Sequence, residues 1–547
     1  MPSPAAPHTL ALLTPLPSLD MGSGPHWGSK FVAIAYFQAL FRYGPFDRYL
    51  FFAAARGSTR PRLDAMHQRW PGADRAEVFP LVALPAVLAE TPIAALHTIE
   101  NHLHAAIYAR SLVPGARFPV TASAFTSPSY HAKMPEYGQD LTGGARPGDT
   151  VICMSDCQQT VLHSYYDHLA ETSLAGWPQP LVRPQTRTVW LGIDVEQYRP
   201  VSGAAWRQRL SLPAEAFVVL SLGRLSPTDK MDWEPVLREF AETLAGETPD
   251  QRPLYLVLAG NDQGYRRSLE HWIQGYGLQE RVRLVPDPPE SEKIALLGAA
   301  DCFLALPDNP QEAFGYSVLE AMACGLPIVA ADWNGLKETV TPDVGIRIPT
   351  YWGPAVDRFD RLSPLYRATE MPLLHLAVAQ SVAVDVAAAW EAVDVLRREP
   401  ARCLAMGRAA RTRAVTVFAW PLIIAAYAQI WAESAAQAAT AVPSAEAGLH
   451  WQSAYGRAFR HYPSHWLAPE TVVVNRQRRL HPSLPLQSSY PNVADLLDSE
   501  LLTRLMIASS TPVSVAELLE TGHEDSDVLH YHLLWLIKQG LVKVETI

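Results

Sequence analysis

The sequence predicts an α/β chain: two Rossmann-like domains facing a cleft, then a small C-terminal α+β module resembling a winged helix. Three observations predict it. Short apolar runs alternate with helical stretches in residues 1–200, and the same alternation restarts in 201–435. The 547 residues, 48% hydrophobic and 18% charged, are enough to build several separate cores. Residues 499–547 then change character, with three closely spaced helical segments and a last apolar run.

In order along the chain, 9–17 (TLALLTPLP) reads as a buried strand. A Gly-rich loop, Gly22-Ser-Gly24-Pro-His-Trp-Gly28, leads into a helical stretch with Ser29 as its N-cap. Strand-like runs follow at 48–55, 78–84, 93–96, 118–125 and 150–154, with helical segments between them. After a proline-containing stretch, 217–222, 254–259, 282–285, 302–306 and 328–331 repeat the pattern. Parallel sheets of this kind bind ligands outside the carboxyl ends of their strands, so two facing sheets predict a site in the cleft. Residues 436–498 read as an Ala-rich linker and an irregular, aromatic, locally basic segment. The tail orders as helix 501–508, helix 513–519 and helix 528–539, with Gly540 ending the last before LVKVETI.

Composition narrows the function. The net charge of −10 argues against a chain that binds nucleic acid or anionic lipid as a whole. Five cysteines with no Cys-x-x-Cys argue against a disulfide scaffold or a structural zinc site, and predict a reducing, cytoplasmic location. No secretory signal is expected at the N-terminus, and no apolar run approaches the ~18 residues of a spanning helix; peripheral membrane contact stays open.

The richest stretch is Asn309-Pro-Gln-Glu312-Ala-Phe314-Gly315-Tyr316-Ser317-Val-Leu-Glu320-Ala-Met-Ala-Cys-Gly325-Leu-Pro327. It follows a strand and opens a short helix, whose free N–H groups and positive dipole end suit phosphate oxygens. Glu312 sits in the loop and can point into the cleft or into solvent. Glu320 sits in the helix, but Ser317-x-x-Glu320 is equally a capping box that needs no ligand. Upstream, Gly223-Arg224 and Lys230 follow another strand. Glycine lets the backbone pass close to a ligand, Arg224 offers a planar fork, and Lys230 offers a point charge. A departing pyrophosphate needs such cations, although a plain loop with surface charges also accounts for them.

Together these pieces resemble the retaining glycosyltransferases of family 4, which have the GT-B fold. The resemblance rests on Glu-x7-Glu at Glu312 and Glu320, the following Ala-x-x-Cys-Gly-Leu-Pro-Ile-Val-Ala, and Gly-Arg-Leu with its downstream Lys. It extends to Leu191-Gly-Ile-Asp194-Val-Glu-Gln-Tyr198-Arg-Pro200 and to 402–420. It covers about 9–435 and is strongest over 190–345. It implies transfer of a sugar from a nucleotide-sugar to an acceptor (glycan, lipid, small molecule or protein) with retention and without a metal ion or other cofactor. It also implies that Glu312 faces the donor sugar and that Glu320 holds the ribose. Arg224 and Lys230 would hold the diphosphate, beside backbone groups of Gly223, Phe314, Gly315 and Tyr316. The spacing from Arg224 to Lys230 is one residue longer than the common pattern, and Met231 replaces the usual glycine. His131 is the candidate active-site histidine, and Gly24 belongs to the loop that approaches donor or acceptor. Ser155-Asp156 resembles the family's Ser-Glu, which caps the next helix. A sugar-nucleotide epimerase on the same fold, or a degenerate transferase serving as a binding subunit, stands as an alternative.

Two further features are weighed against function. His97, Glu100, His102 and His104 look metal-like, but the spacing fits no zinc motif, and Glu100–His104 is equally a surface pair on a helix. The tail from 499 carries three basic residues against seven acidic ones, so a protein, peptide or self-association surface is expected rather than a DNA reader.

Overall fold

The computed structural model describes residues 8–14, 28–53, 56–99, 101–125, 133–354, 357–369, 371–440, 455–458, 460–461, 463–476, 496–522 and 525–545. The first domain is a seven-stranded parallel sheet of β1 (Thr9–Leu12), β2 (Arg48–Ala53), β3 (Ala76–Pro80), β4 (Leu96–Ile99), β5 (Val120–Ser123), β6 (Thr150–Cys153) and β7 (Gln185–Thr188). Its strand order is β3-β2-β1-β4-β5-β6-β7. The second is a six-stranded sheet of β8 (Phe217–Leu222), β9 (Leu254–Gly260), β10 (Val282–Pro286), β11 (Cys302–Ala305), β12 (Ile328–Ala331) and β13 (Gly345–Ile348). Its order is β10-β9-β8-β11-β12-β13, and every recorded pairing in it is parallel. Strands such as FVVLSL and CFLA are buried throughout, as expected where helices cover both faces. Both sheets reverse direction at one point, β1/β4 and β8/β11, and such switch points are where open α/β sheets hold ligands.

Several boundaries differ from the sequence reading. The run expected at 93–96 forms its strand later, at Leu96–Ile99, because its polar members are satisfied inside the core. His97 is fully buried, 2.8 Å from Thr121 Oγ1 and 3.2 Å from both Tyr36 Oη and Ser123 Oγ, and burial depresses its pKa to about 3. The edge strand β7 is polar and half-exposed, so no apolar pattern announces it. Asp149 joins the first sheet at β5 and β6: its carboxylate takes both Arg110 nitrogens (2.5 and 2.8 Å) and the Val120 and Arg146 N–H groups. Such a pair stays put because every buried charge has a partner.

The linker after β7 returns to the second domain through Ile193, whose N–H donates to Phe418 O at 2.8 Å. The last long helix, Trp420–Thr440, crosses back and packs on the helix Gly28–Tyr43 of the first domain. Tyr427 and Trp431 join the aromatic cluster around Tyr36 and His97 there. The two domains therefore share chain ends as well as a cleft. Ser155 caps the helix Asp156–Glu171 as expected. In addition, Glu338 of the second domain accepts from the Asp156 and Cys157 N–H groups at that helix start, at 3.0 and 2.9 Å. A carboxylate on a helix N-terminus is favoured by its free N–H groups and dipole, and here it latches one domain to the other.

An insertion follows β13. Strands β14 (Thr350–Tyr351) and β15 (Ala383–Val384) pair antiparallel, and the helices Asp357–Thr369 and Met371–Ala379 lie between them. At the C-terminus, β16 (Val472–Asn475) lies between β17 (Val513–Ser514) and β18 (Val542–Val544) in an antiparallel sheet. The helices Ser499–Ala508, Val515–Thr521 and Ser526–Lys538 pack on it around a separate apolar core. This central strand corrects the reading of 436–498 as linker and irregular segment, and 513–514, expected to be helical, is the short strand before a capping box at Ser514 and Glu517. A four-residue strand paired on both sides needs no long periodic signal of its own.

Candidate active site

The backbone after β8 and β9 shapes the floor of the cleft. Gly260, at the end of β9, has φ of +128°, and a Cβ there would lie 1.8 Å from the Gly223 carbonyl oxygen. Only glycine allows the two strand ends to come this close. The chain then runs through Arg224 to a turn at Ser226–Lys230, closed by Lys230 N–H donating to Ser226 O at 3.1 Å. Arg224 pairs with Asp229, and Lys230 with Glu312, so both expected cations have carboxylate partners here.

Glu312 is no solvated loop residue. Its side chain is only 11% exposed, with one oxygen on Lys230 and the other accepting from Gly315 N–H at 2.8 Å and Phe314 N–H at 3.4 Å. Burial alone would raise its pKa, but the Lys230 ammonium and these N–H groups outweigh it and hold the carboxyl below the ordinary range. Gly315, left-handed at φ +82°, is the N-cap of the helix Tyr316–Ala323, so the Glu312 carboxylate sits on the helix tip. That tip is the expected place for sugar or phosphate oxygens.

The capping box read from Ser317 and Glu320 does not form. The helix begins at Tyr316 and no side chain caps it, which puts Glu320 in its second turn. Glu320, itself buried, instead joins a charged cluster: its Oε1 lies 2.9 Å from Tyr198 Oη and 3.2 Å from Lys293 Nζ. Glu290 completes the cluster, 2.9 Å from both Tyr198 Oη and Lys293 Nζ. Burial, with Glu290 adding to it, raises the Glu320 carboxyl against the pull of Lys293. Burial would lower the Lys293 ammonium, but Glu320 and Glu290 prevail and raise it.

These groups border a cavity of about 340 Å³ lined by Gly223, Arg224, Lys230, Gly260, Lys293, Tyr316, Ser317 and Glu320, among others. A neighbouring cavity of about 400 Å³ shares Phe31, Glu290, Tyr316 and Glu320 with it and is walled by helix Gly28–Tyr43 of the first domain. The space thus lies at the β8/β11 switch point and between the domains.

The loop that carries Glu312 is braced from several directions. Asn309 donates to Thr228 O, and its own carbonyl accepts from Trp333 Nε1 at 3.0 Å. Gln311 contacts His375 of the insertion, and Gln380 of the same insertion donates to Asp232 Oδ2 at 2.9 Å. Asp308, just past β11, is buried, with Oδ2 accepting from Asp232 N–H at 3.0 Å and Oδ1 without a hydrogen-bond partner. Burial pushes its pKa up to about 7. An unfolded aspartate titrates near ~4, so this group favours the fold below that pH and the benefit is lost as pH rises through about 7. Asp308→Asn is therefore expected to flatten the decline in melting temperature between about pH 4 and about 7; parallel curves for variant and parent would count against the assignment.

Of the residues singled out in the sequence, Gly223, Arg224, Lys230, Glu312, Phe314, Gly315, Tyr316 and Glu320 converge on one region. Gly24, His131 and Glu100 lie outside the described residues. Asp229, Gly260 and Lys293 were not foreseen, and Tyr198, quoted for the resemblance, was given no role at the site. Gly260 had a signal, a glycine ending a buried strand as Gly223 follows its own, whereas the partners of Glu320 come from segments far apart in sequence.

A D-inositol 3-phosphate glycosyltransferase from Saccharomonospora viridis is 35% identical over 191 residues, 33% of this chain and 43% of that protein. One from Thermobispora bispora is 32% identical over 188 residues, 32% of this chain and 43% of that protein. The chain thus spans less than half the length of these curated relatives. The crystal structure of a glycosyltransferase from Rickettsia africae aligns over 78% of this chain and 98% of that one, with a TM-score of 0.52 and 14% identity, a likeness of fold alone. Residues 203–363, which carry Arg224, Lys230, Glu312 and Glu320, match the family described as Glycosyl transferases group 1.

Proposed function

We propose that this chain is a glycosyltransferase that moves a sugar from a nucleotide-sugar to an acceptor hydroxyl with retention of configuration. The observation that carries this reading is the convergence of Arg224, Lys230 and Glu312 on the helix tip at the β8/β11 switch point, with Glu320 one turn further along the cavity wall. A nucleoside diphosphate fits that arrangement. Its phosphates would take Arg224 and Lys230 away from Asp229 and Glu312, and its ribose hydroxyls would meet Glu320. Released from Lys230, the Glu312 carboxylate faces the sugar and stabilises its developing positive charge. The anomeric carbon's bond to phosphate oxygen breaks, its bond to acceptor oxygen forms on the same face, and the departing phosphate oxygen takes the acceptor's proton. The protein mainly orients the reactants and neutralises the leaving diphosphate, and the cationic side chains do this without a divalent ion.

His131 and Gly24 complete the reading from the first domain as sugar-side and loop contacts. The tail from 499 is read as winged-helix-like, with a protein or a second copy of the chain as its partner. Val528, Tyr531 and Leu534 expose an apolar line along the helix Ser526–Lys538, which supports that reading over a nucleic-acid surface. Among the described residues no helix is long and apolar enough to cross a membrane.

Arg224→Ala is expected to weaken binding of UDP, GDP or ADP, whichever the protein prefers, by about tenfold or more, the equivalent of ~1.4 kcal/mol. Titration calorimetry measures it. The matching monophosphate should lose less, and an unchanged diphosphate affinity would remove the cradle from the proposal.

A further inference from the structure

Away from the donor cavity, the carboxyl end of β4 gathers a second set of ligating side chains. His102 is the N-cap residue of the helix Leu103–Ser111 without capping it through its side chain, and His104 lies in the helix's first turn. Glu136 comes from the first turn of the helix Met134–Thr142, which packs alongside. One ligand atom of each residue lies within 4.8 Å of the other two. His102 Nδ1 is 3.3 Å from Glu136 Oε2. His104 Nδ1 is shielded from solvent and has no hydrogen-bond partner; Asp140 Oδ1 stands 3.7 Å away, beyond hydrogen-bond reach. Asp140 is itself occupied by the His104 N–H at 3.0 Å and the Tyr166 hydroxyl at 3.1 Å. A solvent-shielded imidazole nitrogen left unpaired costs about 1–3 kcal/mol, so His104 carries a ring nitrogen in want of a partner, with Asp140 the carboxylate nearest it.

We propose that His102, His104 and Glu136 form a binding site for a zinc-class divalent cation. Two imidazoles and a carboxylate are the donor set such ions prefer over magnesium or calcium. Bonds of about 2.0–2.1 Å at tetrahedral angles place ligand atoms roughly 3.3–3.4 Å apart, the spacing already present between His102 and Glu136. The remaining gap, to His104 and no more than 4.8 Å, closes by joint rotation of the His102 and Glu136 side chains, 43% and 26% exposed, and solvent fills the fourth position. The Lys133 ammonium, 2.9 Å from Glu136 Oε2, competes for that oxygen and moves aside on binding. The positive end of the helix opposes a cation, while Glu136 and the buried Asp140 offset it. The ion fastens the helix Met134–Thr142 to the helix Leu103–Ser111. The site rests on no part of the transfer reading, which calls on no metal.

The test uses the full chain without an affinity tag, stripped by chelator and dialysed against Zn2+ or Co2+. The expected result is one ion per chain by elemental analysis and a visible Co2+ band of tetrahedral intensity. His102→Ala and Glu136→Gln should each weaken binding by about 100-fold or more; His102→Ala, at a 43% exposed side chain, should leave metal-free melting unchanged, whereas Glu136→Gln also removes the Lys133 ion pair. Substoichiometric metal in the parent protein, or full retention in His102→Ala, overturns the proposal.

Discussion

Glu312→Ala is expected to lower sugar transfer by about 100-fold or more, the usual cost of removing a group placed where charge develops. The reason lies in what surrounds the carboxylate. It is the counter-charge of Lys230 and an acceptor for two N–H groups at the helix tip. Alanine removes the group that meets the positive sugar and leaves the Lys230 ammonium without its resting partner. Glu312→Gln separates the two effects: the amide oxygen still accepts from the Gly315 N–H, so melting temperature should stay near that of the parent while transfer falls nearly as far. Donor affinity should change little in either variant, because the phosphates bind Arg224 and Lys230. Initial rates at saturating donor measure the loss, and rates within a few-fold of the parent would remove Glu312 from the reaction.

Gly260→Ala is expected to cost roughly 2–4 kcal/mol of stability and to reduce nucleoside diphosphate affinity more than about tenfold. Two penalties act together. The residue's φ of +128° is one that side chains rarely adopt, and the new methyl would meet a backbone oxygen at 1.8 Å. That oxygen belongs to Gly223, so relief must come from moving the strand end that presents Arg224. Gly275→Ala is the control, since its Cβ would meet nothing within 4 Å and its φ is ordinary. Chemical denaturation and calorimetric titration read the two losses. Stability near that of the parent would show that the two strand ends are not held as closely as described.

Much of the architecture is legible in the chain because parallel strands buried on both faces declare themselves as nearly continuous apolar runs. FVVLSL, LYLVLAG and CFLA are such runs, and each is a strand of the second sheet. Where a strand carries polar groups, the signal fails. His97 and Thr98 in β4 are buried on the strength of partners from other segments, and β7 has no apolar pattern to read. The same limit explains β16, four residues whose neighbours arrive about 40 and 70 positions later.

The local chemistry of the candidate site was present in the residue types: two carboxylates eight positions apart, glycine before a helix, Arg and Lys after a strand. These follow from short-range rules of helix termini and turns, which act within a few residues. Which charge faces which was settled only by the fold. Lys230 meets Glu312 across 82 positions, Tyr198 meets Glu320 across 122, and Glu338 reaches the helix start at Asp156 across 182. Desolvation and Coulomb interaction depend on distance in space, not along the chain. Periodicity could therefore name the helix that bears Glu320, but not the buried lysine that balances it.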